Sequence, residues 1–185
     1  MPSQQQAMLA QLEAVANWVL KLDHLHTLRL KSDDGENQPG DLDLKPLSGL
    51  EKLSSIHLLG RLKNPLVVFE SPESLSDLTL SGSGLTEDPL QKLDKLPNLK
   101  ILRLLAKSYM GKNMLCSSGG FPQLRVLKLW KLEELEEWNV EEGALRALRD
   151  LEIRSCPRLK MLPKELQHRN LMNLKLSDMR NEFTT

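Results

Sequence analysis

The residues able to do chemistry are few and scattered. The histidines stand at His24, His26, His57 and His168, and the cysteines at Cys116 and Cys156. His24 and His26 are two apart, which on a strand puts both on one face. A metal site needs further Cys, His or carboxylate ligands close by, and neighbouring Asp23 falls on the opposite face, so the expectation is a solvent-exposed pair. A nucleophile, a base and an orienting group do not recur together anywhere, so no hydrolytic constellation can be drawn. The nearest thing to a phosphate-cradling loop is Ala106-Lys107-Ser108-Tyr109-Met110-Gly111-Lys112-Asn113. It lacks the leading Gly that admits the phosphates and the Ser or Thr after Lys that holds the metal ion. The chain is therefore read as a non-enzyme with no cofactor and no metal.

Charge excludes little more. With 25 basic and 25 acidic residues the formal net charge is zero, whereas a nucleic-acid binder normally presents a net basic surface. An acidic run, Glu133, Glu134, Glu136, Glu137, Glu141 and Glu142, precedes Arg146, Arg149, Arg154, Arg158, Lys160 and Lys164. It reads either as a polarised edge that docks a charged partner or as a solvated face whose charges pair, each pair contributing at most about 1 kcal/mol. The second is preferred.

Whatever these side chains do, one repeated pattern positions them. L-x-x-L-x-L recurs at Leu25-Leu28-Leu30, Leu53-Ile56-Leu58, Leu75-Leu78-Leu80, Leu99-Leu102-Leu104, Leu124-Leu127-Leu129, Leu148-Leu151-Ile153 and Leu171-Leu174-Leu176. The spacings between first leucines are 28, 22, 24, 25, 24 and 23, inside the roughly 20–29 residues of a leucine-rich repeat. Leucine supplies 42 residues while aromatics are 4%, as expected where one slot is stacked turn after turn. The predicted fold is an α/β solenoid, a leucine-rich-repeat horseshoe. About seven short parallel strands should line its concave face, with an irregular and partly helical convex side. Residues 1–20 are read as a polar tail and an N-terminal capping helix, because apolar residues from Met8 to Leu20 keep helical spacing. Residues 21–185 are read as the repeat domain. Thr86–Leu96 is the best convex helix. The longest connections, Lys31–Leu42 and Lys107–Gly120, are either contact loops or mobile insertions.

Strand alternation then names a candidate surface. Leucines point inward, so the residues between them point outward on the concave face. The central column reads Arg29, His57, Thr79, Arg103, Lys128, Glu152, Lys175. Its neighbour on one side reads Lys31, Leu59, Ser81, Leu105, Trp130, Arg154, Ser177. On the other side stand Thr27, Ser55, Asp77, Ile101, Val126, Asp150 and Asn173. Leu59, Ile101, Leu105, Val126 and Trp130 have no core to fill there, and an aromatic flanked by Arg103 and Lys128 has a hot-spot composition. The competing reading packs Trp130 against the 105–120 loop. The candidate partner-binding residues are Arg29, Lys31, His57, Leu59, Ile101, Arg103, Leu105, Val126, Lys128, Trp130, Glu152 and Arg154.

Single cysteines in two separate repeats read as free thiols of a reducing compartment. No Asn-x-Ser/Thr sequon, signal peptide or membrane-length apolar run is found, and the expected location is the cytoplasm. Only Ser177–Thr185 follow the last strand. The outer sheet edge is therefore expected either to self-associate or to be plugged by Met179 and Phe183.

The punctuation between repeats is more specific than the repeat. Residues 119–122 read Gly-Gly-Phe-Pro before Leu124, residues 136–144 read Glu-Glu-Trp-Asn-Val-Glu-Glu-Gly-Ala, and Cys156-Pro157-x-Leu159-Lys160-x-Leu162-Pro163 follows Ile153. This closely resembles the C-terminal repeats of plant coiled-coil nucleotide-binding leucine-rich-repeat immune receptors, most strongly from 99 to 176. Cys156 fills a small, half-polar slot after the strand, and Arg61, Ser83, Lys107, Leu132 and Met179 occupy the same position in other copies, so the solenoid should be irregular. The resemblance implies a recognition domain for a pathogen effector or a guarded host protein. It also implies one that packs on the receptor's nucleotide-binding domain and restrains it. No coiled-coil or nucleotide-binding domain is present, which reads as an excised fragment or a truncated product. The alternative is a general intracellular scaffold, such as the substrate-binding half of a ubiquitin-ligase adaptor. That would expect an F-box-like helical segment, for which 1–20 is too short.

Overall fold

Alternating leucines can be buried only if each strand lays one face on a common core, and stacked parallel strands do this repeat by repeat. The computed structural model describes residues 14, 18, 21–22, 24–36, 38–44, 52–64, 73–180 and 183. Its strands are β1 (Thr27–Lys31), β2 (Asp41–Leu42), β3 (Ser55–Leu59), β4 (Arg61–Leu62), β5 (Asp77–Ser81), β6 (Ile101–Leu104), β7 (Asn113–Cys116), β8 (Val126–Trp130), β9 (Glu137–Val140), β10 (Asp150–Arg154) and β11 (Asn173–Ser177). Seven form one parallel sheet in the order β1-β3-β5-β6-β8-β10-β11. All seven copies of the leucine pattern are in register: Leu28, Ile56, Leu78, Leu102, Leu127, Leu151 and Leu174 are successive partners. The fold is the expected leucine-rich solenoid.

The core is driest in the middle, where Leu78, Leu80, Leu102 and Leu104 are wholly inaccessible. At the far end Leu174 of β11 is 45% exposed, because no further strand among the described residues covers it. Met179 and Phe183 are partly buried against this end of the core. Across the core run two short parallel pairs, β2–β4 and β7–β9. The described helices are short, α1 (Leu90–Leu93) and α2 (Lys164–Gln167). The helix expected over Thr86–Leu96 thus shrinks to one turn: the Asp94 N–H closes its last helical bond, to the Leu90 carbonyl, and the Leu96 N–H then makes a tight turn on the Leu93 carbonyl. The expected capping helix falls outside the described residues except Ala14 and Trp18, which are helical.

After five of the seven main-sheet strands, β5 to β11, the chain turns through a left-handed residue: Gly82, Lys107, Lys131, Ser155 and Asp178 have φ of 66°, 56°, 53°, 52° and 54°. The next residue drops into the slot between layers. Ser83, Ser108, Leu132 and Cys156 are all wholly buried there. One expectation is corrected. Lys107 does not fill the slot of its repeat, because an extra residue between β6 and the corner makes Lys107 the corner and Ser108 the filler. Arg61 also stays out of its slot and is exposed on β4, with Leu62 turned inward instead.

The motif Gly119-Gly120-Phe121 has a steric cause. Gly119 has φ 69°. A Cβ on Gly120 would lie 2.8 Å from the Ser117 carbonyl oxygen and 2.9 Å from Asp94 Cβ. Phe121 itself adopts φ 54° and is fully buried. Trp138 and Val140 of the Glu-Trp-Asn-Val segment also point into the core. The motifs that carry the resemblance therefore build the scaffold.

Candidate functional site

Strand register decides which predicted residues meet. Arg29, His57, Thr79, Arg103, Lys128 and Glu152 are successive cross-strand partners along the central column. Ile101 partners Val126, and Trp130 partners Arg154. Leu105 continues β6, its N–H donating to the Leu80 carbonyl at 2.8 Å. Ile101, Arg103, Leu105, Val126, Lys128, Trp130, Glu152 and Arg154 thus form one patch on β6, β8 and β10. Arg29, Lys31, His57 and Leu59 lie on β1 and β3, with β5 between them and that patch. They form a separate surface, where Lys31 pairs with Asp33 at 3.5 Å and His57 Nε2 lies 3.0 Å from Ser55 Oγ.

The central patch is internally wired. Arg103 Nη1 donates to Asp77 Oδ1 at 2.7 Å and to Thr79 Oγ1 at 3.2 Å. Lys128 Nζ sits 3.1 Å from Glu152 Oε2 and 5.1 Å from the centre of the Trp130 ring. Arg154 approaches the same ring at 6.0 Å and reaches Asp178 at 3.6 Å. Trp130 is held by cation–π contacts from two neighbours, each worth about 0.5–1 kcal/mol where solvent has access. Trp130 is half-buried, and its indole N–H is fully enclosed with no protein acceptor. The open surface is instead its ring, together with half-buried Leu105, Ile101 and Val126. Beside it lies a depression of about 300 Å³ lined by Val126, Lys128, Asp150, Glu152, Asn173 and Lys175.

The predicted hot spot therefore changes character. Arg103 and Lys128 already have carboxylate partners, so they present positioned, partly neutralised heads rather than free charges. Asp77, Asp150, Asn173 and Asp178 belong to the site and were not singled out from sequence. The available signal was charge complementarity between adjacent columns. Asp77 lies diagonally across from Arg103, and Asn173 Nδ2 donates to Asp150 Oδ1.

Other sequence candidates resolve differently. The Lys107–Gly120 connection contains β7, paired with β9, and sends part of itself into the core. Tyr109, Met114 and Cys116 are buried in the core, whereas Met110 projects, 46% exposed, among exposed polar residues such as Lys107, Lys112 and Asn113. Its reason is local. Leu115 N–H donates to Asp88 Oδ2 at 2.7 Å and Ser117 N–H to Asp94 Oδ2 at 3.2 Å, while β9 pairs the other edge of β7. His24 and His26 do not share a strand face. Both precede β1, and His26 Nδ1 lies 2.6 Å from the His24 carbonyl oxygen. The acidic run pairs with its basic neighbours, Arg158 with Glu134, and Lys160 with Glu136 and Glu137. Lys112 adds a further pair with Glu136, which pulls the Glu136 carboxyl below its ordinary range chiefly through the hydrogen bond from Lys112. Among the described residues no His, Cys, Asp and Glu group could hold a metal ion, and no helix is long and apolar enough to cross a membrane.

Comparison with known proteins agrees with the motifs. The chain is similar to Disease resistance protein RPP8 of Arabidopsis thaliana, 46% identical over 113 residues, covering 60% of this chain and 12% of that protein. Probable disease resistance protein RF45 of the same plant is 49% identical over 105 residues, 57% of this chain and 10% of its own length. Disease resistance protein RPH8A, also from Arabidopsis thaliana, is 38% identical over 132 residues, 71% of this chain and 14% of its own length. The matches thus span between 10% and 14% of these relatives. No family model and no solved structure matches the chain.

Proposed function

We propose that this relative of the Arabidopsis disease resistance proteins is the recognition module of a plant immune receptor acting in the cytoplasm. It senses a pathogen effector directly or through a guarded host protein. The observation that carries the reading is the central patch. A ring held by two cations and framed by Leu105, Ile101 and Val126 offers a pre-ordered apolar anchor, the composition of a binding hot spot. Ordering Trp130 before a partner arrives lowers the entropy cost of association. In a full-length receptor the same solenoid packs against a nucleotide-binding domain and contributes to autoinhibition, and copies can associate through the exposed β11 edge.

Trp130→Ala and Arg103→Glu test the patch. A two-hybrid or pull-down assay against candidate effectors and host proteins should lose binding in both variants while circular dichroism stays unchanged. Retained binding by a folded Trp130→Ala variant moves the site elsewhere.

A further inference from the structure

The rim at which the chain enters the main sheet carries a second pattern. Lys100, Arg125 and Arg149 immediately precede β6, β8 and β10. The Arg125 N–H donates to the Lys100 carbonyl at 2.8 Å and the Arg149 N–H to the Arg125 carbonyl at 3.0 Å. The three are thus cross-strand neighbours, on strands about 4.8 Å apart. All three are exposed. Among the described residues none of their side chains has an ion-pair or hydrogen-bond partner, although Arg103, Lys112, Lys128, Arg154, Arg158 and Lys160 all do. Like charges at directly adjacent positions repel, and among the described residues no contacting carboxylate neutralises these three.

We propose that Lys100, Arg125 and Arg149 form a docking rail for an acidic segment of a partner protein. Two guanidinium forks and an ammonium in a row match a line of carboxylates, and arginine binds them in bidentate fashion. Ile101 and Val126, next along the chain and partnered across β6 and β8, are half-buried and give such a segment apolar footing beside the rail. Asp150 and Glu152 lie one and three residues past Arg149 and repel a phosphate-dense polymer or a strongly anionic bilayer more than a segment that mixes carboxylates with leucines. The rail borders the Trp130 patch, with which it shares Ile101 and Val126, and does not rest on the receptor reading.

The test uses the whole chain and a short fluorescent peptide of glutamate and leucine, followed by anisotropy. Binding should weaken with salt and fall about tenfold or more in Arg125→Glu/Arg149→Glu, while Lys92→Glu, the same reversal at an exposed lysine on α1, leaves it intact. Independently, Arg125→Gln/Arg149→Gln should melt at a higher temperature than the parent chain at low salt, a gap that closes as salt screens the repulsion. The proposal is overturned if the reversal variant binds equally or if a glutamine-for-glutamate peptide binds as well. It is also overturned by an equal loss of binding in Lys92→Glu, by tighter binding to phosphatidylserine vesicles or single-stranded DNA, or by an unchanged melting temperature in the neutral variant.

Discussion

Single residues here settle questions that composition left open. Cys116 and Cys156 are free, as expected, but they are also wholly buried. Burial lifts the Cys116 thiol to about 12 and the Cys156 thiol to about 11 from an ordinary 9.0. Unfolded thiols ionise first, so between these limits the folded chain holds more protons and stability falls as pH rises through 9. We expect neither thiol to react with a disulfide reagent in the native protein at pH 8, and both to react once denatured. Rapid native labelling would contradict the burial. Lys131 is the second residue of note. Its exposed side chain sits on a left-handed corner, a conformation that costs a non-glycine residue about 1–2 kcal/mol, against about 0.5–1 kcal/mol of chain entropy for glycine. Lys131→Gly should therefore raise unfolding stability by about 0.5–1 kcal/mol and Lys131→Val should lower it, as read from urea denaturation.

At the scale of elements, β7 is the least expected piece. A four-residue strand with one partner leaves amides open on its other edge. Asp88 and Asp94 close them, Asp88 also accepting from Leu90 N–H at 2.9 Å at the start of α1. Desolvation raises the Asp88 carboxyl despite both amide donors, the mark of a group taken out of water to serve the backbone. Asp88→Ala should cost about 2 kcal/mol, because two partly buried amides lose an acceptor, and Asp88→Asn about half as much, because one carbonyl oxygen remains. Amide exchange at Leu115 is the direct reporter. Periodicity could not reveal this clasp, since an aspartate before a helix reads as an ordinary cap. The acidic run pairs in part: Glu134, Glu136 and Glu137 meet Arg158, Lys160 and Lys112, whereas Arg149 of the basic stretch meets none of them.

For the whole molecule, stability in a stacked repeat array is a sum of local terms and neighbour interfaces. Burial runs from complete along β5 and β6 to open along β11, where Leu174 is exposed. Hydrogen exchange should follow that gradient, slowest for Leu78, Leu80, Leu102 and Leu104 amides and faster in β11. Uniform protection along the sheet would show a single cooperative unit instead.

The leucine spacing by itself determined the solenoid, the number and register of the main strands and the side each residue faces, because a period-two strand leaves no choice once its leucines must be buried. It also named the residues of the concave patch. Only the tertiary structure decided their state. Arg103 and Lys128 are already paired, Trp130 is held between two cations, and Arg29 and His57 stand apart. The same holds for the unpaired rail of Lys100, Arg125 and Arg149. These properties depend on which side chains become neighbours across strands 22–28 residues apart in sequence, and a linear pattern carries no information about whether a charge finds its counter-charge there.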